Sequence, residues 1–360
     1  MKSTLARLAI ASAATVAGGW AADQAGVPSS YLFAAILVGI AIALGKPGWF
    51  DLPAPVFPAG QAVAGVVVGT YLHTDTLSEL GSRWVPVALV SAATLLLTIG
   101  AGLLLARIAP IDPATASLGM VAGGASGIVA MADDLGADDR IVAFMQYLRL
   151  AVVVFATPLI VGIAFHGHSS ATAGGASEPL LGTLDGWLVT IAIAAAGALI
   201  GPRLRLPAAA FLGPTLLAAA LTLGGALDGI AVPPLLREAA FAAIGLYIGL
   251  RFERETLRSI RKLLPAVLIS IVALIAGCFV LAWVLQLTAD VSLLDAYLAT
   301  TPGGLYAVLP IAFGSNADAG FVLAVQGLRV LVMVLAAPAV VRLLLKSSQP
   351  PDTSRRRNTR

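Results

Sequence analysis

The sequence has few charged residues, few histidines and a single cysteine. Only 11% of its 360 residues are Asp, Glu, Lys or Arg, whereas a soluble globular domain has about 25%. The lone Cys278 excludes a small domain held together by disulfides. Hydrophobic residues make up 59% of the chain, and with so few charges to coat a soluble surface this composition indicates a polytopic membrane protein.

Twelve apolar segments follow one another with short polar breaks between them. A helix needs about 20 apolar residues to cross the hydrocarbon core, and the longest segments reach that length unaided. The segments are 5–22, 31–44, 60–72, 84–108, 114–132, 141–165, 184–200, 207–226, 233–250, 262–287, 294–313 and 320–345. We therefore predict an all-α, multi-pass protein of the bacterial inner membrane, with the lipid bilayer as its main surroundings.

The second half of the sequence matches the first half, without gaps, at a shift of 180 residues. The matched positions are Gly123, Gly124, Asp138, Gln146 and Arg149 with Gly303, Gly304, Asp318, Gln326 and Arg329. This pattern predicts a tandem duplication, with one membrane repeat at 1–180 and a second at 181–346. The remaining residues, 347–360, are polar and basic and are expected to form a disordered cytoplasmic tail.

The distribution of lysine and arginine predicts the topology. If the Gly-Gly segments 114–132 and 294–313 dip into the membrane and return, only Arg83 and Arg237 face outside, and both termini are cytoplasmic. If all segments cross, the basic residues divide almost evenly. The first arrangement gives five crossings per repeat, and five is odd, so the repeats must have inverted topology, as in many secondary transporters.

The Gly-Gly segments are the first candidate site. Gly123 and Gly124 interrupt one apolar run, and Thr301 with Pro302-Gly303-Gly304 interrupts its duplicate. Glycine and proline break helices, and broken helices within a membrane offer free N–H groups or carbonyls to a substrate. Close packing of helices through small residues is the structural alternative.

The second candidate is the pair Gln146-x-x-Arg149 and Gln326-x-x-Arg329. Residues at i and i+3 share one helix face, and an arginine within an apolar helix must face the protein interior. Its planar fork suits an anionic solute. In the structural alternative, each arginine pairs with Asp138 or Asp318, or with carbonyls at a helix end, and fastens the re-entrant segment.

Acidic and metal-binding candidates carry less weight. Asp138 and its duplicate Asp318 are candidates for ion coupling or ion pairing, with solvated loop acids as the alternative. His166 and His168 are too isolated to predict a metal site, and no phosphate-binding or nucleophile motif is found. The sequence thus predicts neither a cofactor nor a catalytic residue.

The duplicated pattern resembles that of the AbrB-type membrane duplication family over residues 5–345. Its elements are Gly123-Gly124, Gly136-Ala137-Asp138, Val142, Gln146, Arg149 and Pro158, repeated as Pro302-Gly303-Gly304, Asn316-Ala317-Asp318, Val322, Gln326, Arg329 and Pro338. The resemblance implies a membrane protein labelled as a transcriptional regulator or an ammonia monooxygenase. The sequence supports neither label, since it contains no soluble DNA-binding module and no monooxygenase metal ligands.

These features together favour a secondary transporter of a small solute, and an anionic one because buried arginines attract negative charge. A membrane sensor that affects gene expression indirectly is the alternative function. An enzyme is not expected, nor is direct nucleic acid binding, and a homodimer is compatible with the sequence.

Overall fold

The computed structural model of the chain describes residues 2–348, apart from 25–29, 73–80, 82, 122–127, 129–131, 133–134, 166–179, 205, 207, 228–230, 253, 304–307, 309–310, 313–314 and 316. Within these residues the chain forms helices and no strands. The prediction of an all-α protein is therefore confirmed.

The helices follow the predicted apolar segments closely. They are α1 (Lys2–Gln24), α2 (Ser30–Gly45), α3 (Val56–Thr70), α4 (Trp84–Ile108), α5 (Pro113–Met120), α6 (Asp139–Ala164), α7 (Leu184–Arg203), α8 (Ala209–Leu223), α9 (Pro234–Leu250), α10 (Arg254–Ser259), α11 (Leu264–Ala289), α12 (Leu293–Thr300) and α13 (Ala319–Ser348). The main departures are at α5 and α12, where a segment predicted as one long run begins with a helix of only eight residues.

Within the described residues, four helices are long and apolar enough to cross a membrane, namely α4, α6, α7 and α11. In the most apolar window of each, no more than 44% of the residues are buried inside the protein. The outward faces carry large hydrophobic side chains such as Leu89, Leu96, Ile163 and Leu199. Because water would not tolerate so much exposed apolar surface on adjoining helices, these faces are membrane-facing, and the chain is a membrane protein.

The helices pack as two bundles. The scaffold bundle consists of α1, α2, α3, α7, α8 and α9, and its tightest contacts pair α2 with α9 and α3 with α8. The site bundle consists of α4, α5, α6, α11, α12 and α13, with α4 packed against α11 at its centre. Helix α6 contacts α2 of the scaffold bundle and the short connecting helix α10. Each bundle therefore contains helices from both halves of the sequence.

Glycines allow the close pairs in the scaffold bundle. A Cβ atom at Gly65 would collide with the carbonyl of Phe211 in α8, and one at Gly249 would collide with the carbonyl of Ile36 in α2. Both glycines belong to Gly-x-x-x-Gly spacings, with Gly69 and Gly245 as the second members. Small residues at this spacing let two helix backbones approach closely in a membrane.

Candidate functional site

Two short helices, α5 and α12, form the centre of the candidate site. An eight-residue helix is about 12 Å long, less than half of the hydrocarbon thickness. Asp112 caps α5 by accepting the N–H of Thr115 at 2.8 Å, and Pro113 occupies the first helical position. Ser292 caps α12 by accepting the N–H of Asp295 at 3.0 Å. Local sequence therefore defines where each short helix begins.

The segments that contain the short helices begin and end at the same level of the protein. The N–H of Asp138, at the start of α6, donates to the Thr115 hydroxyl in the first turn of α5 at 2.8 Å. The N–H of Asp318, at the start of α13, donates to the Asp295 carboxylate in the first turn of α12 at 2.7 Å. Each segment thus returns to its starting point before the long helix that follows.

Gln146 and Arg149 on α6 bind the carbonyl end of α5. The Gln146 side-chain amide donates to the carbonyls of Leu118 at 2.7 Å and Val121 at 2.9 Å. Arg149 donates from Nη1 to the Met120 carbonyl at 2.7 Å and from Nη2 to Gln146 Oε1 at 2.8 Å. The final carbonyls of a helix have no intrahelical partner and carry partial negative charge, so a guanidinium group stabilises them.

The same arrangement recurs 180 residues later. The Gln326 amide donates to the carbonyls of Leu298 at 2.7 Å and Thr301 at 3.3 Å. Arg329 Nη1 donates to the carbonyls of Thr300 at 3.1 Å and Thr301 at 2.7 Å, and its Nη2 donates to Gln326 Oε1. The predicted Gln-x-x-Arg pairs therefore perform one structural task in both halves, which is to hold the end of a short helix.

Both guanidinium groups are buried, with 5% of Arg149 and 1% of Arg329 exposed. In the described part of the chain their hydrogen-bond partners are backbone carbonyls and glutamine, and no carboxylate is among them. Of the two structural partners considered from the sequence, helix-end carbonyls are the ones observed. The Nε atoms of both arginines are buried and have no hydrogen-bond partner among the residues that the structure describes.

The two arginines and Cys278 lie close together. The two guanidinium groups are near enough to repel each other electrostatically, and Cys278 lies within electrostatic range of both. The Cys278 carbonyl accepts the Thr300 hydroxyl at 3.1 Å, which links α11 to the end of α12. The two buried arginines therefore lie within electrostatic range of each other, and their described hydrogen-bond partners provide no formal negative charge.

The other predicted residues of the Gly-Gly segments are described in part. Thr301, Pro302 and Gly303 are buried at the end of α12, where the Thr301 hydroxyl donates to the Tyr297 carbonyl at 2.7 Å. Gly123, Gly124 and Gly304 lie outside the described residues. The described part of this site therefore includes the carbonyl ends of the short helices and, from the Gly-Gly segments, only Thr301, Pro302 and Gly303.

Asp138 and Asp318 are exposed and lie directly before the first residues of α6 and α13. Asp138 Oδ1 accepts the N–H groups of Arg140 at 3.0 Å and Ile141 at 3.1 Å. Asp318 Oδ1 accepts the N–H of Phe321 at 2.9 Å. Both carboxylates act as N-caps, and a role in ion coupling remains a prediction.

Four polar residues that sequence reasoning missed fix the short helices, namely Asp112, Thr115, Ser292 and Asp295. These residues could have been found from helix-start patterns and from the alignment of the two halves of the sequence. Asp112-Pro113 and Ser292-x-x-Asp295 are recognisable helix starts, and Thr115 aligns with Asp295, both of which accept a hydrogen bond from the backbone of the next long helix.

Metal-binding side chains do not cluster in the residues that the structure describes, where no group of three or more His, Cys, Asp or Glu could hold an ion. His166 and His168 lie outside those residues.

Known proteins resemble this chain over most of its length. The family model described as "Transition state regulatory protein AbrB" matches residues 31–345. "Putative regulator AbrB" from Escherichia coli (strain K12) is 36% identical over 320 residues, which cover 88% of this chain and 90% of that protein. "Uncharacterized protein YhjN" from Bacillus subtilis (strain 168) is 28% identical over 352 residues, covering 92% and 91% respectively.

Proposed function

This chain belongs to the AbrB family, and we propose that it is a secondary carrier for a small anionic solute in the bacterial inner membrane. One observation carries the proposal. Two buried arginines, Arg149 and Arg329, bind the carbonyl ends of two short helices, and within the described residues each has a buried Nε–H without a hydrogen-bond partner.

The electrostatics of this location favour an anion. Each short helix contributes about half a negative charge at its carbonyl end, which offsets only part of the two guanidinium charges. A buried donor without an acceptor costs about 1–3 kcal/mol. An anion placed between Arg149 and Arg329 would accept hydrogen bonds from both Nε–H groups and would reduce their mutual repulsion.

The proposed architecture is a pair of inverted repeats. The short helices α5 and α12 are too short to cross, and the segments that contain them return to their starting level. Each half then contributes five crossing helices, α1–α4 with α6 and α7–α9 with α11 and α13. An odd number reverses the second half relative to the first, which agrees with the distribution of basic residues.

A topology test is direct. Accessibility tags placed near Asp23, Ser170 and Asp228 should all react from the outside of intact cells, and a tag after residue 347 should react only after permeabilisation. A cytoplasmic tag at any of the first three positions would contradict the inverted arrangement.

Transport would use the division into two bundles. The site bundle carries both arginines and both short helices, whereas the scaffold bundle contributes none of the predicted binding residues. Movement of the site bundle against the scaffold bundle would expose the anion to one side of the membrane and then to the other, which is the usual mode of inverted-repeat carriers.

Ligand binding can be measured on purified protein. Thermal unfolding with a panel of small organic and inorganic anions should show stabilisation by at least one of them, because a ligand that binds the folded state raises its stability. Arg149→Gln or Arg329→Gln should abolish that shift. The exposed Arg107→Gln is the matched control and should leave it unchanged.

Flux distinguishes a carrier from a membrane sensor, the second candidate function. The sensor is favoured by the descriptions of the family and of the Escherichia coli relative as regulators. Proteoliposomes that contain only this protein should accumulate the stabilising anion if it is a carrier. Binding without flux would support the sensor, and no stabilisation by any anion would remove the basis of the proposal.

A further inference from the structure

Aromatic side chains join the site bundle to the scaffold bundle along one edge. All three contacts use aromatic residues of α6 and have ring centroids 5.1–6.3 Å apart, a separation typical of favourable aromatic pairs. The pairs are Phe155 with Phe33 of α2, Tyr147 with Tyr247 of α9, and Phe144 with Phe252 just after α9.

Tyr247 is itself held firmly in the scaffold bundle. Its ring stacks on Phe57 of α3 with centroids 3.7 Å apart and planes within 12°. The Arg251 guanidinium lies 4.5 Å from the centroid of the Tyr247 ring and also donates to its hydroxyl. Tyr147, which follows Gln146 directly in sequence, therefore contacts a ring that is itself packed against Phe57 and Arg251.

The opposite edge lacks these aromatic residues. Helix α13 is the counterpart of α6, and the positions that align with the three pairs hold no aromatic residue. They are Leu335 with Gly213, Gly327 with Val67, and Ala324 with Leu72. At Gly327, the counterpart of Tyr147, a Cβ atom would meet nothing within 4 Å. The two edges thus differ in sequence, and Gly327 lies beside open space where its counterpart Tyr147 contacts Tyr247.

We infer that the three aromatic pairs form a latch, which holds the α6 edge of the site bundle closed against the scaffold bundle and leaves the α13 edge as the open route to the arginines. In the proposed topology, two of the three pairs lie towards the cytoplasmic side, near Arg140 and Arg251, namely Tyr147 with Tyr247 and Phe144 with Phe252. The pair of Phe33 with Phe155 lies closer to the outside. The inference rests on the proposed function in two respects, the inverted topology and the movement of the two bundles relative to each other.

Cys278 makes the latch testable, because it is the only cysteine in the sequence and lies buried beside both arginines. An anionic, membrane-impermeant thiol reagent is applied to vesicles of either orientation, and the labelling rate of Cys278 is measured from each side. The wild-type protein should be labelled faster from outside. Cys278→Ser gives the background.

Exchanging Tyr147 and its counterpart Gly327 should move the open route from the α13 edge to the α6 edge. In the double variant Tyr147→Gly with Gly327→Tyr, labelling from the cytoplasmic side should rise and labelling from outside should fall. We expect loss of the Tyr147–Tyr247 pair to change the labelling rate from the cytoplasmic side by about two- to tenfold, from the strength of such pairs. Gly327→Tyr alone enters open space and should keep the unfolding temperature while slowing labelling from outside.

The outcomes separate the latch from the carrier proposal, because labelling does not require transport. If the exchange leaves the ratio of the two labelling rates unchanged, or if Cys278 reacts from neither side in both proteins, the latch is wrong. If the ratio changes while no anion binds or moves, the latch stands and the carrier proposal fails. Trp20→Leu, an exposed aromatic outside the latch, is the matched control and should change neither rate.

Discussion

Removing the Gln326 amide should destabilise the protein far more than its size suggests. Gln326 is fully buried, and its side chain connects three groups, the carbonyls of Leu298 and Thr301 and the guanidinium of Arg329. Leucine at this position has nearly the same volume, so Gln326→Leu removes the hydrogen bonds without opening a cavity. The change in the free energy of unfolding therefore measures how much these hydrogen bonds to the end of α12 stabilise the protein.

The magnitude follows from what is left unpaired. The Thr301 carbonyl still accepts a hydrogen bond from Arg329 Nη1 at 2.7 Å. Losing the bond from Gln326 to this carbonyl therefore costs little stability. The Leu298 carbonyl loses the 2.7 Å bond from Gln326, and the charged Arg329 Nη2 loses its acceptor. One buried acceptor at about 1–2 kcal/mol and one charged donor at about 2–3 kcal/mol give a total of about 3–5 kcal/mol.

Unfolding of purified protein in mixed micelles, monitored by tryptophan fluorescence, would give the difference in stability. Gln146→Leu removes the equivalent bonds to Leu118, Val121 and Arg149 and should cost a similar amount. Gln286→Leu, at a half-buried position of α11, is the matched control. A loss below about 0.5 kcal/mol for Gln326→Leu, the range of ordinary surface substitutions, would refute the reasoning.

Other substitutions test the remaining contacts. Gly249→Leu should lower the free energy of unfolding by more than about 3 kcal/mol or prevent folding, because the leucine side chain would collide with the backbone of α2. Gly100 has open space around it, so Gly100→Leu should be neutral in the same unfolding assay. Asp318→Ala should cost about 1 kcal/mol through loss of the cap; ion-dependent loss of flux with little change in stability would instead indicate coupling. Arg329→Lys should keep the buried charge but lose the fork geometry, so it should weaken anion stabilisation and lower the unfolding temperature together.

Much of the fold could be predicted because membrane helices must be long and apolar. The sequence also placed Gln146 and Arg149 on one helix face and implied that both turn inward, since a charge facing lipid is too costly. Both side chains are buried, and both bind the same short helix. Residue spacing and the cost of an unpaired charge in lipid were enough to predict that Gln146 and Arg149 are buried on one helix face.

The partners of the arginines could not be predicted in the same way. Backbone carbonyls at the end of a short helix have no residue type that identifies them, so Asp138 and Asp318 were equally reasonable partners. Their positions directly before α6 and α13 make them N-caps instead. The pairing of the bundles was also hidden, because Gly65 and Gly249 reveal that something packs closely but not which helix does so.

In the scaffold bundle, helices of one half of the chain pack against helices of the other half, α2 on α9 and α3 on α8. This packing has a consequence for the origin of the chain. Helices α8 and α9 align with α2 and α3, so both contacts are two versions of one interface. A single 180-residue copy would display both surfaces of that interface and could satisfy neither alone. Two such copies would close on each other as an isologous dimer, and a gene fusion would then have converted an assembly of two identical subunits into one polypeptide whose halves were free to diverge.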